Sequence, residues 1–377
     1  MSAPKAPTRV LHCHPTFAAG GRQLHGVRLM NALGKSVEHA VVPGQLRERV
    51  TSAHPELAAK VLFQQDFPAL TGFPSPGRLV AIAEAMKGYD LILTHDRGAM
   101  NAVMAHTVFA GHFGLPPLIH HENAFREHEE LTTRRNWYRR IAFSGNILLA
   151  VPSVRLERIA REVWKVPPAR LSRIPVGIDT ARFANPPEPG AFRVVKREGE
   201  RWVGTLADLR PAGGLDRLVR AMSALDEEWQ LVIIGEGPER DRISAVADEL
   251  GMSHRVHLPG AHPDPSKVIG LFDIFALPDR CEQFPLAVVE AMAAGLPLAA
   301  PDTGDIRTMV AASNRPFICV PDDWRALGQM LRDLAAEPDL AAGIGKANRE
   351  RAREHFDEAA TIARYRELYG KALGREI

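Results

Sequence analysis

The sequence predicts an α/β protein with two doubly wound, Rossmann-like domains that face an interdomain cleft. Short apolar segments alternate with longer amphipathic segments along the whole chain, as expected for βαβ units around a parallel sheet. The 377 residues suit two domains of about 150–200 residues each better than a single hydrophobic core. A stretch rich in proline and glycine at 174–192, IPVGIDTARFANPPEPGAF, separates the two halves and predicts a linker.

The candidate elements follow the same rhythm in both halves. In the first half, apolar runs predict strands at 9–12, 39–42, 91–94, 117–120 and 147–151, and amphipathic stretches predict helices at 22–33, 76–87, 99–113 and 155–164. In the second half, strands are expected at 202–206, 230–234, 255–258, 274–277, 298–300 and 317–320, and helices at 215–225, 239–250, 286–294, 324–336 and 356–373. In open α/β sheets, ligands bind at the carboxyl ends of the strands, so polar residues there are the first candidates for a site.

The composition excludes several classes of protein. Hydrophobic residues make up 45% and charged residues 24% of the chain, which is ordinary for a folded domain, and the net charge of +2 gives no reason to expect nucleic acid. Cys13, Cys281 and Cys319 are widely separated, which argues against a disulfide framework or a zinc-binding cysteine set. The first residues lack a signal-peptide core and no stretch of about 18 apolar residues occurs, so we expect a cytoplasmic protein.

The pair Glu282 and Glu290 is the most informative motif of the chain. If a helix begins near Pro285, its free N–H groups and its positive dipole end favour an anion such as a phosphate. The two carboxylates then suit sugar or ribose hydroxyls, so the arrangement fits a sugar nucleotide. The same residues also fit a buried helix that ends at a glycine cap, and the motif alone does not separate the two interpretations.

The first half places polar residues at two strand ends. Gly20 and Gly21 lie between the first strand and a helix, where the backbone can approach a ligand closely, although this motif alone favours a simple tight turn. His120 and His121, in the sequence HHEN, end another strand and suit a sugar hydroxyl or a phosphate; a structural histidine is the alternative. His12, His14 and His95 also lie near strand ends, but no carboxylate–histidine spacing supports a metal, and we expect none.

In the second half, the first strand leads into a loop with a basic residue. Arg210 stands in the segment WVGTLADLRPAGGLDRLVRA, where its planar guanidinium suits a diphosphate, although a solvated loop arginine is the alternative. The segments LVIIGEGPER and VHLPG close two further strands at the same edge of the sheet. Backbone groups around Leu258 are candidates for contacts with a nucleotide base.

The order of VGTLADLRP, VIIGEGPER, VHLPG and DIFALPDRCEQFPLAVVEAMAAGLPLAAPDTGDI resembles the retaining, nucleotide-sugar-dependent glycosyltransferases of family GT4, which have the GT-B fold. The resemblance covers nearly the whole chain, and the E-x7-E spacing from Glu282 to Glu290 is its most specific mark. It implies an acceptor-side domain at 1–180, a nucleotide-sugar-binding domain at 181–355 and a C-terminal helix at 356–377 that crosses back to the first domain.

The resemblance also implies residue roles. It assigns Glu282 to the hydroxyls of the donor sugar, Glu290 to the ribose, and Arg210 to the phosphates. His120 matches the strand-end histidine beside the transferred sugar, although a shift of one residue would select His121. The other donor-binding positions implied are backbone groups near the phosphates or the sugar, at Gly20, Gly21, Phe284 and Leu286.

Two departures from the family pattern weaken the phosphate site. The lysine expected three residues after Arg210 is Gly213, and the serine expected after LP is Asp279. Loss of one positive charge at a leaving group typically costs a few kcal/mol. Arg217 and Arg240 are candidates to compensate for it. The alternative is a catalytically degenerate GT-B protein that binds a sugar nucleotide or a partner enzyme.

The expected reaction is transfer of a sugar, with retention, from a UDP- or GDP-sugar to a saccharide or lipid-linked acceptor, in cell-surface polysaccharide or lipopolysaccharide synthesis. No cofactor or metal is expected. The basic, aromatic segment from Thr132 to Phe143, TTRRNWYRRIAF, suits peripheral contact with the inner face of a membrane, or else a helix that packs its apolar stripe on the sheet. The sequence specifies neither the base, the sugar and the acceptor nor the oligomeric state.

Overall fold

The protein consists of two compact units in a computed structural model that describes residues 7–14, 21–43, 57–123, 133–278 and 284–377. One unit comprises Met1–Val176 together with Ala360–Ile377, and the other comprises Gly177–Ala359. Each unit is built around its own parallel sheet, which confirms the α/β class predicted from the alternation of apolar and amphipathic segments.

The first unit contains a parallel sheet in which the strand order, among the described residues, is β3-β2-β1-β4-β5-β6-β7. Its strands are β1 Thr8–His14, β2 Val37–Pro43, β3 Val61–Phe63, β4 Leu91–His95, β5 Leu118–His121, β6 Leu148–Val151 and β7 Leu171–Arg173. Its helices are α1 Gly21–Leu33, α2 Pro76–Met86, α3 Met100–Phe113, α4 Thr133–Ala142 and α5 Val154–Glu162.

The two faces of the first sheet bury different sets of residues. Along β1, Leu11 and Cys13 belong to the core on one face, while Val10 belongs to the core on the other, as the two-residue period of a strand requires. Histidines share the face of Val10, because His12 and His14 continue its alternation. The first unit therefore carries a row of polar rings at the carboxyl end of a sheet face that is otherwise apolar.

The second unit contains a parallel sheet with the order β10-β9-β8-β11-β12-β13 among the described residues. Its strands are β8 Arg201–Leu206, β9 Trp229–Ile234, β10 Val256–Gly260, β11 Ile274–Ala276, β12 Leu298–Pro301 and β13 Ile318–Cys319. Its helices are α6 Thr180–Ala184, α7 Leu215–Ala221, α8 Arg240–Glu249, α9 Leu286–Ala294, α10 Ile306–Met309, α11 Trp324–Ala336 and α12 Pro338–His355.

The last helix, α13, Glu358–Leu373, returns the chain to the first unit. Its buried residues Tyr365, Leu368 and Tyr369 pack in the same core as Val10 of β1 and the apolar residues of β4. The hydroxyl of Tyr369 lies 3.0 Å from Nε2 of His121 in β5. The helix therefore covers the histidine-bearing face of the first sheet.

Most predicted elements are confirmed, and the two helices predicted at 286–294 and 324–336 have the predicted bounds. The short strands β3 and β7 and the long helix α12 were not predicted. The segment predicted as a linker contains the helix α6, whose Phe183 packs into the core of the second unit. Within the described part of the chain, none of the helices has both the length and the apolar character needed to cross a bilayer.

Candidate functional site

Two loops of the second unit meet at the carboxyl edge of its sheet. Strands β8 and β11 are hydrogen-bonded neighbours; β8 leads into the Arg210 loop, and β11 leads into Leu277 and Pro278. Gly214 has a φ of +64°, and a Cβ atom there would lie 2.9 Å from the carbonyl oxygen of Pro278. The glycine is therefore needed both for its backbone conformation and for the close approach of the two loops.

Arg210 lies at the start of the turn that connects β8 to α7. Its Nε atom is 3.4 Å from the carboxylate of Asp208, and the side chain is 33% exposed. The Gly213 N–H donates to the carbonyl of Arg210 and closes the turn at 2.9 Å. The planar guanidinium of Arg210 therefore lies beside the loop that follows β8, where the predicted phosphate role would place it.

Helix α9 has the buried side and the glycine cap of a core helix, while its anion-binding role stays a prediction. Pro285 caps it in an extended conformation, and the N–H groups of Leu286 and Ala287 have no partner within the helix, as at any helix start. Its opposite side is buried, with Val288, Val289, Ala291, Met292, Ala293 and Ala294 in the core, and Gly295 ends it with a φ of +82°. Glu290 lies one turn inside the helix and is half-buried. The helix is thus a core element, and the N–H groups of its first turn point along its axis as at other helix starts.

Several predicted site residues cannot be placed. Glu282, Gly20 and Asp279 lie outside the described residues, so the structure does not report on their roles. The described chain resumes at Phe284, whose ring meets that of Phe356 edge-on with the centroids 5.8 Å apart. Gly21 is the first residue of α1. For the residues between Pro278 and Phe284, the proposed roles in donor binding therefore rest on the sequence alone.

Leu258 offers fewer backbone groups than the sequence suggested. Its carbonyl already accepts a hydrogen bond from Arg240 Nη1 at 3.0 Å. The pairing of β10 with β9 shifts register between His257 and Gly260, so the regular ladder is interrupted next to Leu258. A base bound there would meet the edge of an irregular strand rather than a regular one.

Arg217 and Arg240, the candidates to compensate for the lysine that is absent at Gly213, are both paired with acids. Arg217 forms an ion pair with Asp322, and Arg240 lies 3.2 Å from the carboxylate of Glu236. At Gly213 itself, an added Cβ would lie 3.5 Å from the carbonyl oxygen of Asp208, which is ordinary van der Waals contact. The backbone therefore accommodates a side chain at the position where the family pattern has a lysine.

In the first unit, His120 belongs to a buried polar network. Its Nδ1 lies 2.8 Å from the hydroxyl of Thr94, and its Nε2 lies 3.7 Å from the carboxylate of Glu122. Glu122 in turn accepts a hydrogen bond from Arg139 Nε at 3.0 Å, and both residues are almost fully buried. Burial raises the pKa of Glu122, but the charges of Arg139 and His120 outweigh it and lower the pKa to about 2. The network thus contains a permanent carboxylate.

The neighbouring His121 faces the opposite side of the sheet. Its Nδ1 lies 3.3 Å from the carbonyl of Thr94, and its Nε2 contacts Tyr369 of α13. Burial lowers its pKa to about 3, so the ring is neutral at physiological pH. Successive residues of a strand face opposite sides of the sheet. A shift of one residue in the family comparison would therefore replace His120, in the network with Glu122, by His121, in contact with Tyr369.

Arg139 is a functional candidate that the sequence did not single out. The residue belongs to α4, where it was interpreted only as one of four basic residues. Besides its bond to Glu122, its guanidinium lies 5.2 Å from the centre of the Trp164 ring, and the indole Nε1 donates to Asn136. The signal in the sequence was Glu122, the acid of HHEN directly after a buried strand. A carboxylate buried there needs a cation as its partner.

The same helix keeps an exposed basic side. Arg134 and Arg140 are exposed, and Trp137 is 65% exposed. Tyr138 and Ile141 pack against the core of the first unit. Part of α4 therefore stabilises the sheet, as one of the two interpretations expected, and its outer side remains available. Thr132 lies outside the described residues.

Comparison with known families finds similarity chiefly in the second unit. Residues 191–351 match the family model of the glycosyl transferases group 1. A GDP-mannose-dependent α-(1-6)-phosphatidylinositol monomannoside mannosyltransferase of Mycolicibacterium smegmatis is 30% identical over 262 residues, which are 63% of this chain and 65% of that relative. An MMP α-(1→4)-mannosyltransferase of Mycolicibacterium hassiacum is 28% identical over 331 residues, 81% of this chain and 77% of that relative.

Solved structures agree with the fold. HepE of Anabaena, solved in complex with UDP, has a TM-score of 0.79 with 16% sequence identity and covers 97% of this chain and 100% of its own. A sucrose-phosphate synthase of Thermosynechococcus elongatus has a TM-score of 0.77 at 21% identity and covers 97% of this chain and 99% of its own. At these identities the likeness shows the GT-B fold alone. The match to the family model lies within the second unit, so that part of the chain is similar to the glycosyl transferases group 1.

Proposed function

We propose that the protein transfers a sugar, with retention, from a UDP- or GDP-sugar to a saccharide or lipid-linked acceptor in cell-surface glycoconjugate synthesis. In the reaction the bond between the sugar C1 and the diphosphate breaks, and a bond from C1 to an acceptor oxygen forms on the same face. The acceptor hydroxyl loses its proton and the nucleoside diphosphate leaves. No bound cofactor is required in this proposal, because the charge that develops is on the leaving diphosphate.

One observation carries the proposal: the Arg210 loop and the segment before α9 are in contact at one edge of the second sheet. The contact is made by Gly214 against the carbonyl of Pro278. The Arg210 loop follows β8, and Glu290 and the N–H groups that begin α9 follow the neighbouring strand β11, so we propose that they act on one ligand. Positive charge and N–H donors suit the diphosphate, and carboxylates suit hydroxyls.

The roles of the individual residues follow from this chemistry. We assign Arg210 and the N–H groups of Phe284 and Leu286 to the diphosphate, and Glu290 to the ribose. Glu282 is assigned to the hydroxyls of the transferred sugar, and the backbone at Gly20 and Gly21 to the phosphates, on the family pattern alone. The buried network of His120, Glu122 and Arg139 holds the His120 imidazole at the end of β5, and we assign this imidazole to the transferred sugar.

A ligand screen followed by a turnover assay tests the proposal. Thermal shifts with UDP, GDP and their sugars identify the base, and GDP-mannose is tested first because two of the mannosyltransferase relatives align over large parts of the chain. Release of the nucleoside diphosphate is then followed with saccharide and lipid-linked acceptors, and the anomeric configuration of the product is read by NMR. An inverted product would contradict retention.

A second candidate function is that of a degenerate GT-B protein, which binds a sugar nucleotide without transferring the sugar. Gly213 favours it, because the family pattern has a phosphate-binding lysine at this position. The two functions differ in one result. Binding of a nucleotide sugar with no diphosphate release across a broad acceptor panel would favour the degenerate protein. Absence of any nucleotide binding would contradict both.

We further propose that the outer side of α4 contacts an anionic membrane surface. Trp137 stands between Arg134 and Arg140 on the exposed side, and an aromatic ring flanked by cations suits the headgroup region. Co-sedimentation with anionic vesicles should fall when Arg134, Trp137 and Arg140 are changed to serine. Arg139 is left intact because it is buried against Glu122. Equal co-sedimentation of the variant and the wild type would contradict this contact.

A further inference from the structure

Three histidines of the first unit converge at the carboxyl edge of its sheet. His12 and His14 lie two residues apart on one face of β1, and His95 ends the neighbouring strand β4. One ring nitrogen of each lies within 4.8 Å of one ring nitrogen of each of the other two. His95 lies more than 80 residues from the other two in the sequence, so only the fold brings it to them.

The rings form a compact array. The ring centres of His14 and His95 are 3.9 Å apart with their planes inclined by 7°, and that of His12 is 6.1 Å from each of the others. Nδ1 of His12 and Nε2 of His95 are buried and have no hydrogen-bond partner among the described residues. A buried imidazole nitrogen without a partner is costly, and its lone pair is the group that binds a transition metal.

The other side of the array is held by hydrogen bonds. Nε2 of His12 lies 2.9 Å from Nδ1 of His39 in β2, which leaves Nδ1 of His12 for a ligand. His95 stacks on His121 with ring centres 4.6 Å apart, and His121 is fixed by Thr94 and Tyr369. Metal-binding histidines commonly have their second nitrogen fixed by such a neighbour, which sets the tautomer and the direction of the ring.

We propose that His12, His14 and His95 bind a divalent transition metal ion of the zinc type. Three neutral imidazoles supply three of four tetrahedral positions and leave one for water or for an oxygen of a bound molecule. Zinc–nitrogen bonds of about 2.0–2.1 Å place the nitrogens roughly 3.4 Å apart in a tetrahedron, so the rings rotate out of their near-parallel stack when the metal binds. The sequence alone predicted no metal, because the spacing of these residues along the chain carries no ligand motif.

Metal content and cobalt spectroscopy test the site on the full chain, purified with an affinity tag that contains no histidine. We expect about one zinc or cobalt ion per chain after dialysis, and the intense visible absorption of tetrahedral cobalt with nitrogen ligands. This measurement uses the wild-type protein, so it does not depend on the folding of any variant. A wild type that retains no metal and shows only the weak absorption of hydrated cobalt would overturn the proposal.

Substitutions then locate the metal. His12→Gln and His95→Gln should each abolish the tetrahedral cobalt absorption. His39→Gln should weaken cobalt binding by about 10-fold, since it removes only the neighbour of a ligand. His112→Gln, on the exposed end of α3, is the matched control and should bind as the wild type does. Circular dichroism confirms the fold of each variant, and cobalt absorption that persists in folded His12→Gln and His95→Gln would contradict the site.

Discussion

At the scale of single residues, the buried ion pair of Glu122 and Arg139 is the strongest electrostatic feature described in the first unit. Both side chains are at most 2% exposed, and the pair also contacts His120. Breaking such a pair leaves one charge buried without its partner, which costs far more than the loss of a surface pair. The Glu122–Arg139 pair thus contributes to the stability of the first unit and also holds His120, a residue of the candidate site.

Glu122 should make the first unit sensitive to acid. Its pKa is lowered from 4.5 to about 2, so it contributes stability above about pH 4.5 that is lost as the pH falls toward 2. At about 1.4 kcal/mol per pH unit, the loss is roughly 3 kcal/mol. Urea unfolding of Glu122→Gln between pH 5 and 2 should lack this dependence and should show a destabilisation of about 3–5 kcal/mol at neutral pH.

Glu157→Gln is the control for Glu122→Gln. Glu157 pairs with Arg173 at 3.1 Å, but both side chains are about a third or more exposed, so the change should cost no more than about 1 kcal/mol. An equal loss of unfolding free energy in both variants would contradict the larger stabilisation by the buried pair of Glu122 and Arg139.

Gly213 is the second residue whose replacement is informative. Gly213→Lys adds the charge that the family pattern has three residues after Arg210, and its Cβ meets only ordinary contacts. We expect affinity for the nucleoside diphosphate to rise roughly fivefold, or about 1 kcal/mol, measured by calorimetry. Gly343→Lys adds the same charge on α12 at an open, exposed position and should leave the affinity unchanged. An equal rise in both variants would indicate only a general charge effect.

At the scale of elements, the sequence predicted those whose apolar pattern is strong. Helix α9 was predicted with its bounds because apolar residues run to a glycine cap. Helix α12 was missed because its buried positions are mostly small or polar: Ala341, Ile344, Gly345, Asn348 and Ala352. The strands β3 and β7 have three residues each and lie at the two edges of their sheet, so they are too short to show a period.

The contact of α12 with the end of α9 depends on a glycine. A Cβ at Gly345 would lie well inside van der Waals distance of the carbonyl oxygen of Gly295, which caps α9. Gly345→Ala should therefore lower the unfolding free energy by about 1–3 kcal/mol, seen as a lower denaturant midpoint. Gly343→Ala, two residues away with open space around it, should be neutral or stabilising by up to about 1 kcal/mol. A neutral Gly345→Ala would contradict the close packing.

At the scale of the whole molecule, the sequence predicted two parallel-sheet units, and both are present. For the site, the sequence predicted which residues lie at the ends of strands. Parallel strands bring their carboxyl ends to one edge of the sheet, so these residues were expected to share that edge. Contacts between elements could not be predicted, because they depend on strand register and helix packing: the histidine array and the ion pair of Glu122 with Arg139 are examples. Glu282, on which the family resemblance chiefly rests, lies outside the described residues.

Calorimetric titration of the nucleoside diphosphate against Arg210→Ala tests the central claim, that the edge of the second sheet binds the diphosphate of a sugar nucleotide. We expect affinity for the diphosphate to fall by roughly 10- to 100-fold, as for loss of a charged hydrogen bond, while binding of the bare nucleoside changes little. Arg353→Ala, an exposed arginine of α12, should bind as the wild type does. Unchanged affinity for the diphosphate in Arg210→Ala, or an equal loss for the nucleoside, would contradict the claim.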